Sequence, residues 1–424
     1  METPKKIRTI DAEKHVGEEV KLYGWVEDKR ILGNIMFITL RDGWGRIQLT
    51  IRKEGNIGVY SRALATQRQS VISVVGRINK YRDTLEVIPS KYFLISQANH
   101  PLPIDPTGRT PAALPTLIEY RPLSLRIERI NAIFKIRSQV KRYIREYFYS
   151  IGAIEIDTPK IIAAASEGGA ELFSVKYFDK AAYLAQSPQL YKEQVTMGLT
   201  YVFEIAQFYR AEKSHTRRHL TEFTSVDFEG AYIDYNEAMD VLEDMIRHVF
   251  KRLQEDEELF KILRRDPPRP PSEIPRVKYD TLIDYLRGRG RMIKWGEDFD
   301  SEALKMIAEK YSGFYFIIDW PWDTKPFYIY RIGDYTQSFD LMHGSLELAS
   351  GGTREHRYSE LRKNVIDKGL DIDNFEYHVR YYQYGMPPHA GFGLGLDRLV
   401  QMIVGADNIR EVVLYPRDPE TLTP

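Results

Sequence analysis

The sequence predicts an α+β protein in two parts: a small β-barrel at the N-terminus, then a larger domain in which an antiparallel sheet is flanked by helices. Three observations carry this reading. Short β-rich runs separated by turn residues fill positions 1–96. A proline-rich stretch follows. Beyond it, strands come grouped with long helices and not in strict βαβ alternation.

The β-rich runs lie at 20–26, 35–40, 47–51, 70–75 and 84–88, with turn residues such as Arg41-Asp-Gly-Trp-Gly45 between them. Five strands with a helical insert near 57–69 describe a barrel of the OB type, so residues 1–96 are assigned to it. This part carries 17 Lys and Arg against 11 Asp and Glu, a net +6 that leaves −6 for the remainder. The positive excess sits on the unit whose fold most often takes oligonucleotides. Residues 97–117 form a hinge, with five prolines between positions 101 and 115. Proline fixes φ and removes donors, so the hinge should be extended and stiff.

Residues 118–424 make the second domain. Ile130, Ile133, Phe134, Ile136, Val140, Ile144 and Phe148 recur at helical spacing over 129–150, and Gly152 supplies the stop. Strands are expected at 153–157 (ended by Pro159), 183–185, 201–205 and 220–229. A long amphipathic helix is expected at 236–257. The five prolines of 264–275 mark a surface loop, and a last helix falls at 395–404.

Composition narrows the chemistry. Of 424 residues, 43% are hydrophobic and 28% charged, as in globular proteins, and no run approaches the length of a membrane span. Met1-Glu-Thr-Pro-Lys-Lys lacks an apolar region, so no secretory signal is expected and the expected compartment is the cytoplasm. The absence of cysteine excludes disulfides, thiolate metal sites and cysteine nucleophiles.

Three stretches are dense in groups that contact polyanions or amino acids. Phe208-Tyr-Arg-Ala-Glu-Lys-Ser-His-Thr-Arg-Arg-His-Leu-Thr-Glu-Phe223 reads as strand, basic loop, strand. Its guanidinium forks suit phosphate oxygens, and Phe223 offers a face to a base. Gly391-Phe-Gly-Leu-Gly-Leu-Asp-Arg398 precedes an apolar helix, where glycines permit close backbone approach to a ligand. Neither a Rossmann context nor a P-loop accompanies it. In the third stretch, 338–354, Asp340 and Glu347 offer hard oxygen ligands to Mg²⁺ bridging nucleotide phosphates.

Taken in order, the basic OB unit, proline hinge, helix and strand ending at Pro159, Phe-Tyr-Arg-Ala-Glu loop and Gly-Phe-Gly-Leu-Gly-Leu-Asp-Arg run resemble class II aminoacyl-tRNA synthetases of the aspartyl, asparaginyl and lysyl subgroup. The likeness spans essentially the whole chain and includes all three class motifs. It implies a class II synthetase sheet in the second domain. It also implies ATP-dependent activation of an amino acid, transfer to the 3′ end of tRNA, Mg²⁺ as cofactor, and a homodimer built on Pro159 and helix 129–150, with no membrane partner. Gln186-Ser-Pro-Gln-Leu-Tyr-Lys192, Arg354 after the Ser-Gly-Gly run, and Asp227 resemble the archaeal aspartyl members. Against this, the 210–223 loop and Tyr120-Arg-Pro-Leu-Ser-Leu-Arg126 closely resemble asparaginyl members. Pocket residues outweigh a shared nucleotide loop, so L-aspartate is the expected substrate. An asparaginyl-tRNA synthetase is the alternative. A synthetase-like asparagine synthetase fits less well, since it would lack the basic OB unit.

The resemblance implies residue roles. Glu167, on a closing loop, together with Gln189 and Asp227 holds the substrate ammonium, and Lys192 and Arg354 bind the side-chain carboxylate, with Ser350 close by. Arg210 bridges the substrate carboxylate and α-phosphate and, with Arg398, is catalytic. Glu212 and Phe223 bind adenine. Arg218 and His219 approach the outer phosphates, and Leu220, Gly395, Leu396 and Asp397 complete the ATP wall. Glu347, Ser350 and Asp340 hold Mg²⁺. In the OB unit Phe37 stacks an anticodon base, Gln48 and Glu86 read base edges, and Arg30, with Lys29, contacts phosphate. The tRNA partner is tRNA(Asp), with tRNA(Asn) left open.

Overall fold

The computed structural model describes residues 4–81, 84–163, 172–212 and 216–423. They divide into two units, Met1–Pro111 and Ala112–Pro424.

The first unit is built from β1 (Glu19–Leu32), β2 (Ile35–Arg41), β3 (Arg46–Arg52), α1 (Ile57–Ala65), β4 (Val71–Tyr81) and β5 (Thr84–Ser96). The strands run β1-β2-β3-β5-β4, and β1 pairs with β4 to close the barrel. One strand serves both partners because β1 is 14 residues long and bulged between Val26 and Asp28. Its first half pairs with β4 and its second with β2. The β-rich run of the sequence ends at Val26, yet ladder pairing with β2 carries the strand on through the charged residues Glu27-Asp-Lys-Arg30. Strict alternation in β2 buries Met36, Ile38 and Leu40 with Leu22, Leu49, Val74 and Val87. A two-residue strand, Lys5–Lys6, lies parallel to the start of β1.

The second unit is organised by α2 (Glu128–Ser150), β6 (Ile154–Glu155), α3 (Gln189–Leu199), β7 (Tyr201–Tyr209), β8 (Glu222–Ala231) and α4 (Tyr235–Leu253). Then come β9 (Arg276–Lys278), β10 (Phe314–Ile318), β11 (Ser338–His343), β12 (Leu346–Thr353), β13 (His389–Gly395) and α5 (Leu396–Val404). Eight strands form one sheet in the order β9-β10-β11-β12-β13-β8-β7-β6, antiparallel except at its two ends. Helices α2, α4 and α5 bury their apolar faces against one side of it. Phe148 of α2 lies 4.8 Å from Phe203 and 5.5 Å from Phe228, ring centre to ring centre, in a core that includes Ile246, Phe392 and Leu394.

Helix ends follow local chemistry. Gly152 takes φ +78° just past α2, a conformation glycine adopts without strain. Asp234 and Glu237 form a reciprocal capping box at the start of α4. The helix expected at 236–257 stops at Leu253, and a separate short helix, Glu257–Leu263, follows one turn later. At the break, Asp256 accepts hydrogen bonds from Tyr143 (2.7 Å) and Gln139 (3.3 Å) of α2, a tertiary tie that periodicity does not encode. No helix among the described residues is long and apolar enough to cross a membrane.

Candidate active site

The face of the sheet opposite the helices carries a cavity of about 490 Å³. Its floor is made by an unusual strand. Gly391-Phe-Gly-Leu-Gly395 lies within β13, and its alternation sends Phe392 and Leu394 into the core while Gly393 and Gly395 line the cavity and Gly391 makes room for Glu229. The register places Asp227, Gly393, Ser350 and Asp340 side by side on β8, β13, β12 and β11. A Cβ on Gly393 would stand 3.1 Å from Asp227 Oδ1, and one on Gly391 only 2.1 Å from the Phe228 carbonyl oxygen. These glycines therefore hollow out a strand. The sequence reading had them as a lead-in to a helix, a place only Gly395 fills, as the N-cap of α5.

Beside the floor, on the same face of the sheet, lies a buried ion cluster. Arg354 donates from Nε and Nη2 to the two oxygens of Glu229, at 2.9 and 3.1 Å. Lys192 Nζ donates to Asp227 Oδ1 at 3.0 Å and to the carbonyls of Phe392 (2.9 Å) and Phe228 (3.4 Å), and it lies 3.4 Å from Glu229 Oε2. Ser225 completes Asp227 with a 2.6 Å bond. Two cations and two carboxylates compensate one another where any unpaired charge would be costly. Burial alone would lower the Arg354 pKa, but the Glu229 carboxylate more than offsets it, and the guanidinium is raised above its ordinary value.

The two predicted cations differ in placement. Arg354 lines the cavity, and the pairing of Nε and Nη2 with Glu229 engages two of its five N–H donors, leaving both of Nη1 and one of Nη2 outside that pair. Lys192 sits behind the wall, held by Asp227 and the two carbonyls.

The rim collects the basic loop and the end of the third motif. Gln189, Arg210, Glu212, Arg218, His219, Leu220, Phe223, Glu347, Ser350 and Arg398 all line the cavity. The Arg210 guanidinium lies 5.4 Å from the centre of the Phe223 ring, a cation–π pair at the position expected for adenine. Arg218 donates to the Ser345 carbonyl at 3.1 Å, and Arg398 to the Glu347 carbonyl at 2.9 Å. His219 lies 2.5 Å from Thr216 Oγ1, and burial followed by the Arg398 charge lowers its pKa. Glu347 is half exposed at the mouth of the cavity, with its carboxylate 3.9 Å from Arg398 Nη1. Loss of hydration pushes its pKa up, Asp340 and Asp298 add to the rise, and Arg398 and Lys325 oppose it.

The metal reading needs revision at one position. Both oxygens of Asp340 accept from Lys325 Nζ, at 2.9 and 2.7 Å, and Lys325 is itself seated 4.3 Å over the Trp320 ring. Asp340 is thus neutralised by a lysine and is absent from the cavity wall, while Glu347 and Ser350 are on it. No cluster of three acidic or imidazole ligands occurs among the described residues. The donors that remain, a carboxylate and a hydroxyl, suit a hard cation that takes its other ligands from phosphate and water. Asp397 lines the cavity, but its carboxylate accepts from Arg137 Nη1 (2.5 Å) and the Thr224 amide (2.8 Å), locking α2 and β8 to the start of α5. The Leu396 side chain is in the core. Glu167 lies outside the described residues.

Sequence reasoning missed several members. Glu229, Tyr328, Lys325 and Gln186 belong to the cluster or the wall. Glu229 had a signal: two residues past Asp227 on a strand, it must share its face. Behind Gln189, the fully buried Glu193 accepts from Gln189 Nε2 (2.5 Å) and the Tyr382 hydroxyl (2.6 Å). Burial would raise its pKa, but His378 and His389 hold it well below the ordinary carboxylate value.

In the OB unit, Phe37 is half-buried on the outer face of β2, directly opposite Thr50 on β3 and Arg30 on β1. Gln48 Nε2 donates to Thr50 Oγ1 (3.2 Å), which donates to Glu86 Oε2 (2.5 Å), so these residues form one polar chain beside Phe37. Arg30 is exposed, 3.4 Å from Asp28. Lys29 departs from its expected phosphate role, since its ammonium donates to the carbonyls of Ala63, Leu64 and Thr66 at the end of α1.

Comparison with known proteins gives two family matches: tRNA synthetases class II (D, K and N) over residues 114–419, and the OB-fold nucleic acid binding domain over residues 20–95. The chain is 42% identical to the aspartate–tRNA(Asp/Asn) ligase of Archaeoglobus fulgidus, covering 99% of this chain and 100% of that protein. It is 43% identical to the aspartate–tRNA(Asp) ligase of Pyrococcus furiosus, covering 96% and 97%. Among solved structures, asparaginyl-tRNA synthetase from Pyrococcus horikoshii complexed with asparaginyl-adenylate superposes with a TM-score of 0.92 at 31% identity, covering 100% of both chains.

Proposed function

The chain belongs to the class II tRNA synthetases of the D, K and N group, and from that premise we propose that it is an aspartate–tRNA ligase. It activates L-aspartate with ATP and transfers it to the 3′ end of tRNA(Asp). The observation that carries the amino-acid choice is Arg354. It is the cluster's guanidinium on the cavity wall, with three of its five N–H donors left over after the bidentate pairing to Glu229. A carboxylate meets those donors as a charge-assisted partner, whereas an amide brings either a weaker acceptor or an opposing NH₂ group. The same cavity joins Arg354 to the basic rim of Arg210, Arg218 and Arg398.

In the first step an α-carboxylate oxygen attacks the α-phosphorus in line, forming the mixed anhydride as the bond to pyrophosphate breaks. In this reading Arg210 and Arg398, both on the cavity wall, stabilise the negative charge that builds on the transferring group and on the leaving pyrophosphate. Positioning and fixed charge are the catalytic resources here. Gln189, steadied by Glu193, and Asp227 face the substrate ammonium. Mg²⁺, with Glu347 and Ser350 as its protein ligands, would neutralise phosphate charge. In the second step a ribose hydroxyl of the tRNA end attacks the anhydride carbonyl and releases AMP. The OB unit binds the anticodon through Phe37, Gln48, Glu86 and Arg30. The enzyme works in the cytoplasm as a homodimer.

Asparagine activation is the second reading, favoured by the TM-score of 0.92 to the asparaginyl enzyme. Charging of tRNA(Asp) and tRNA(Asn) transcripts with labelled aspartate and labelled asparagine separates the two. Label from aspartate on tRNA(Asp) is the expected result. Label from asparagine alone would replace the proposal with the second reading.

A further inference from the structure

The OB unit holds a second cavity, of about 610 Å³, away from Phe37, Gln48 and Glu86. Its walls come from the Lys5–Lys6 strand, the short helical segment Thr9–His15, the middle of β1 and the turn between β2 and β3. Three aromatic rings face it, Tyr23, Trp25 and Trp44, and four cations surround it, Lys5, Lys6, Arg8 and Lys14.

The cavity is built and held. Asp42 accepts from the Thr9 amide (2.8 Å), Thr9 Oγ1 (2.7 Å) and the amides of Trp44 and Gly45 (2.8 Å each), which fastens the turn to the helical segment. Trp44 is presented on this tied turn 56% exposed, with the Arg8 guanidinium 5.6 Å from its ring. Lys6 and Lys21 stand 5.0 and 5.2 Å from the Tyr23 ring. Of the two carboxylates in the lining, Asp42 is committed to the turn and Asp11 to Arg8 (2.7 Å) and Lys14 (3.3 Å), so the outward field is positive. Gly24, between the outward Tyr23 and Trp25, lets β1 approach β2 closely, since a Cβ there would stand 2.4 Å from the Arg41 carbonyl oxygen.

Aromatic faces interleaved with cations, at the scale of a small-ligand cleft, fit an unstacked base together with its phosphate. The position fits too. Trp25 lies directly opposite Arg41, which is four residues beyond Phe37 on β2 and points to the same face. The cleft thus begins about 13 Å along the strand from Phe37, a reach that a few nucleotides of extended RNA span. We propose that this cleft is a second RNA subsite, which takes a nucleotide flanking the anticodon by stacking on Trp44 and pairing its phosphate with Arg8 and Lys14. The proposal rests on the reading that the OB unit binds tRNA.

The test uses the full chain and an RNA hairpin with the sequence of the tRNA(Asp) anticodon arm, with Kd read by fluorescence anisotropy at fixed salt. Trp44→Ala is expected to weaken binding between about 5-fold and 150-fold, as loss of one stacked base does, and Trp44→Phe to restore most of it. Arg8→Gln should reduce the slope of log Kd against log salt by about one counterion. Phe37→Ala serves as the control on the parent reading. If Phe37→Ala weakens the hairpin while Trp44→Ala stays within twofold of the parent, the second subsite is wrong and the anticodon reading stands. If neither substitution weakens it, the anticodon reading falls together with the subsite.

Discussion

At the scale of single residues, the site depends on compensation. Lys192, Asp227, Glu229 and Arg354 are each at most 4% exposed at the side chain, and every one has a partner of opposite charge. Removing one member leaves another buried and unpaired, which costs about 3–5 kcal/mol. Lys192→Met should therefore lower thermal stability by that order, as scanning calorimetry would register, and raise the KM for aspartate more than the KM for ATP. A melting temperature unchanged from the parent would show that Lys192 does not balance this cluster. The chemistry of Arg354 and Asp227 was legible because their neighbours in sequence are distinctive. The pairing of Lys325 with Asp340 was not. The lysine lies fifteen residues away across a loop, and nothing local signals that a predicted metal ligand will be claimed by an ammonium group.

At the scale of elements, β13 shows how one pattern supports two readings. Gly391-Phe-Gly-Leu-Gly395 before an apolar helix reads as a ligand-cradling loop, but it is also a period-two alternation of nothing and something. The structure uses the second meaning: Phe392 and Leu394 fill the core, and the glycines leave the opposite face bare for Asp227 and Ser350. Gly391→Ala should be strongly destabilising, because its Cβ would meet the Phe228 carbonyl oxygen at 2.1 Å and Glu229 Oε2 at 2.4 Å. A loss of at least about 1–3 kcal/mol is expected from such overpacking, read as a lower urea midpoint. A parent-like midpoint would mean that the close approach of β13 to β8 is not as described. Helix α2 and the barrel strands were readable from periodicity alone. The true ends of β1 and α4 were not, since a ladder partner extends one and side chains of α2 break the other.

At the scale of the molecule, a chain with zero net charge separates into a unit at +6 over residues 1–96 and a remainder at −6. That division, the proline-rich hinge and the order of the motifs made the two-part architecture legible. What sequence left open is how a balanced cluster chooses between an acid and its amide. The answer offered by the geometry is one guanidinium edge at the wall, backed by charges that already cancel. The most direct test is ATP–pyrophosphate exchange by the unmodified enzyme, with kcat/KM measured for L-aspartate and L-asparagine side by side. Exchange driven by aspartate and not by asparagine is the predicted result, and equal or greater exchange with asparagine would contradict it.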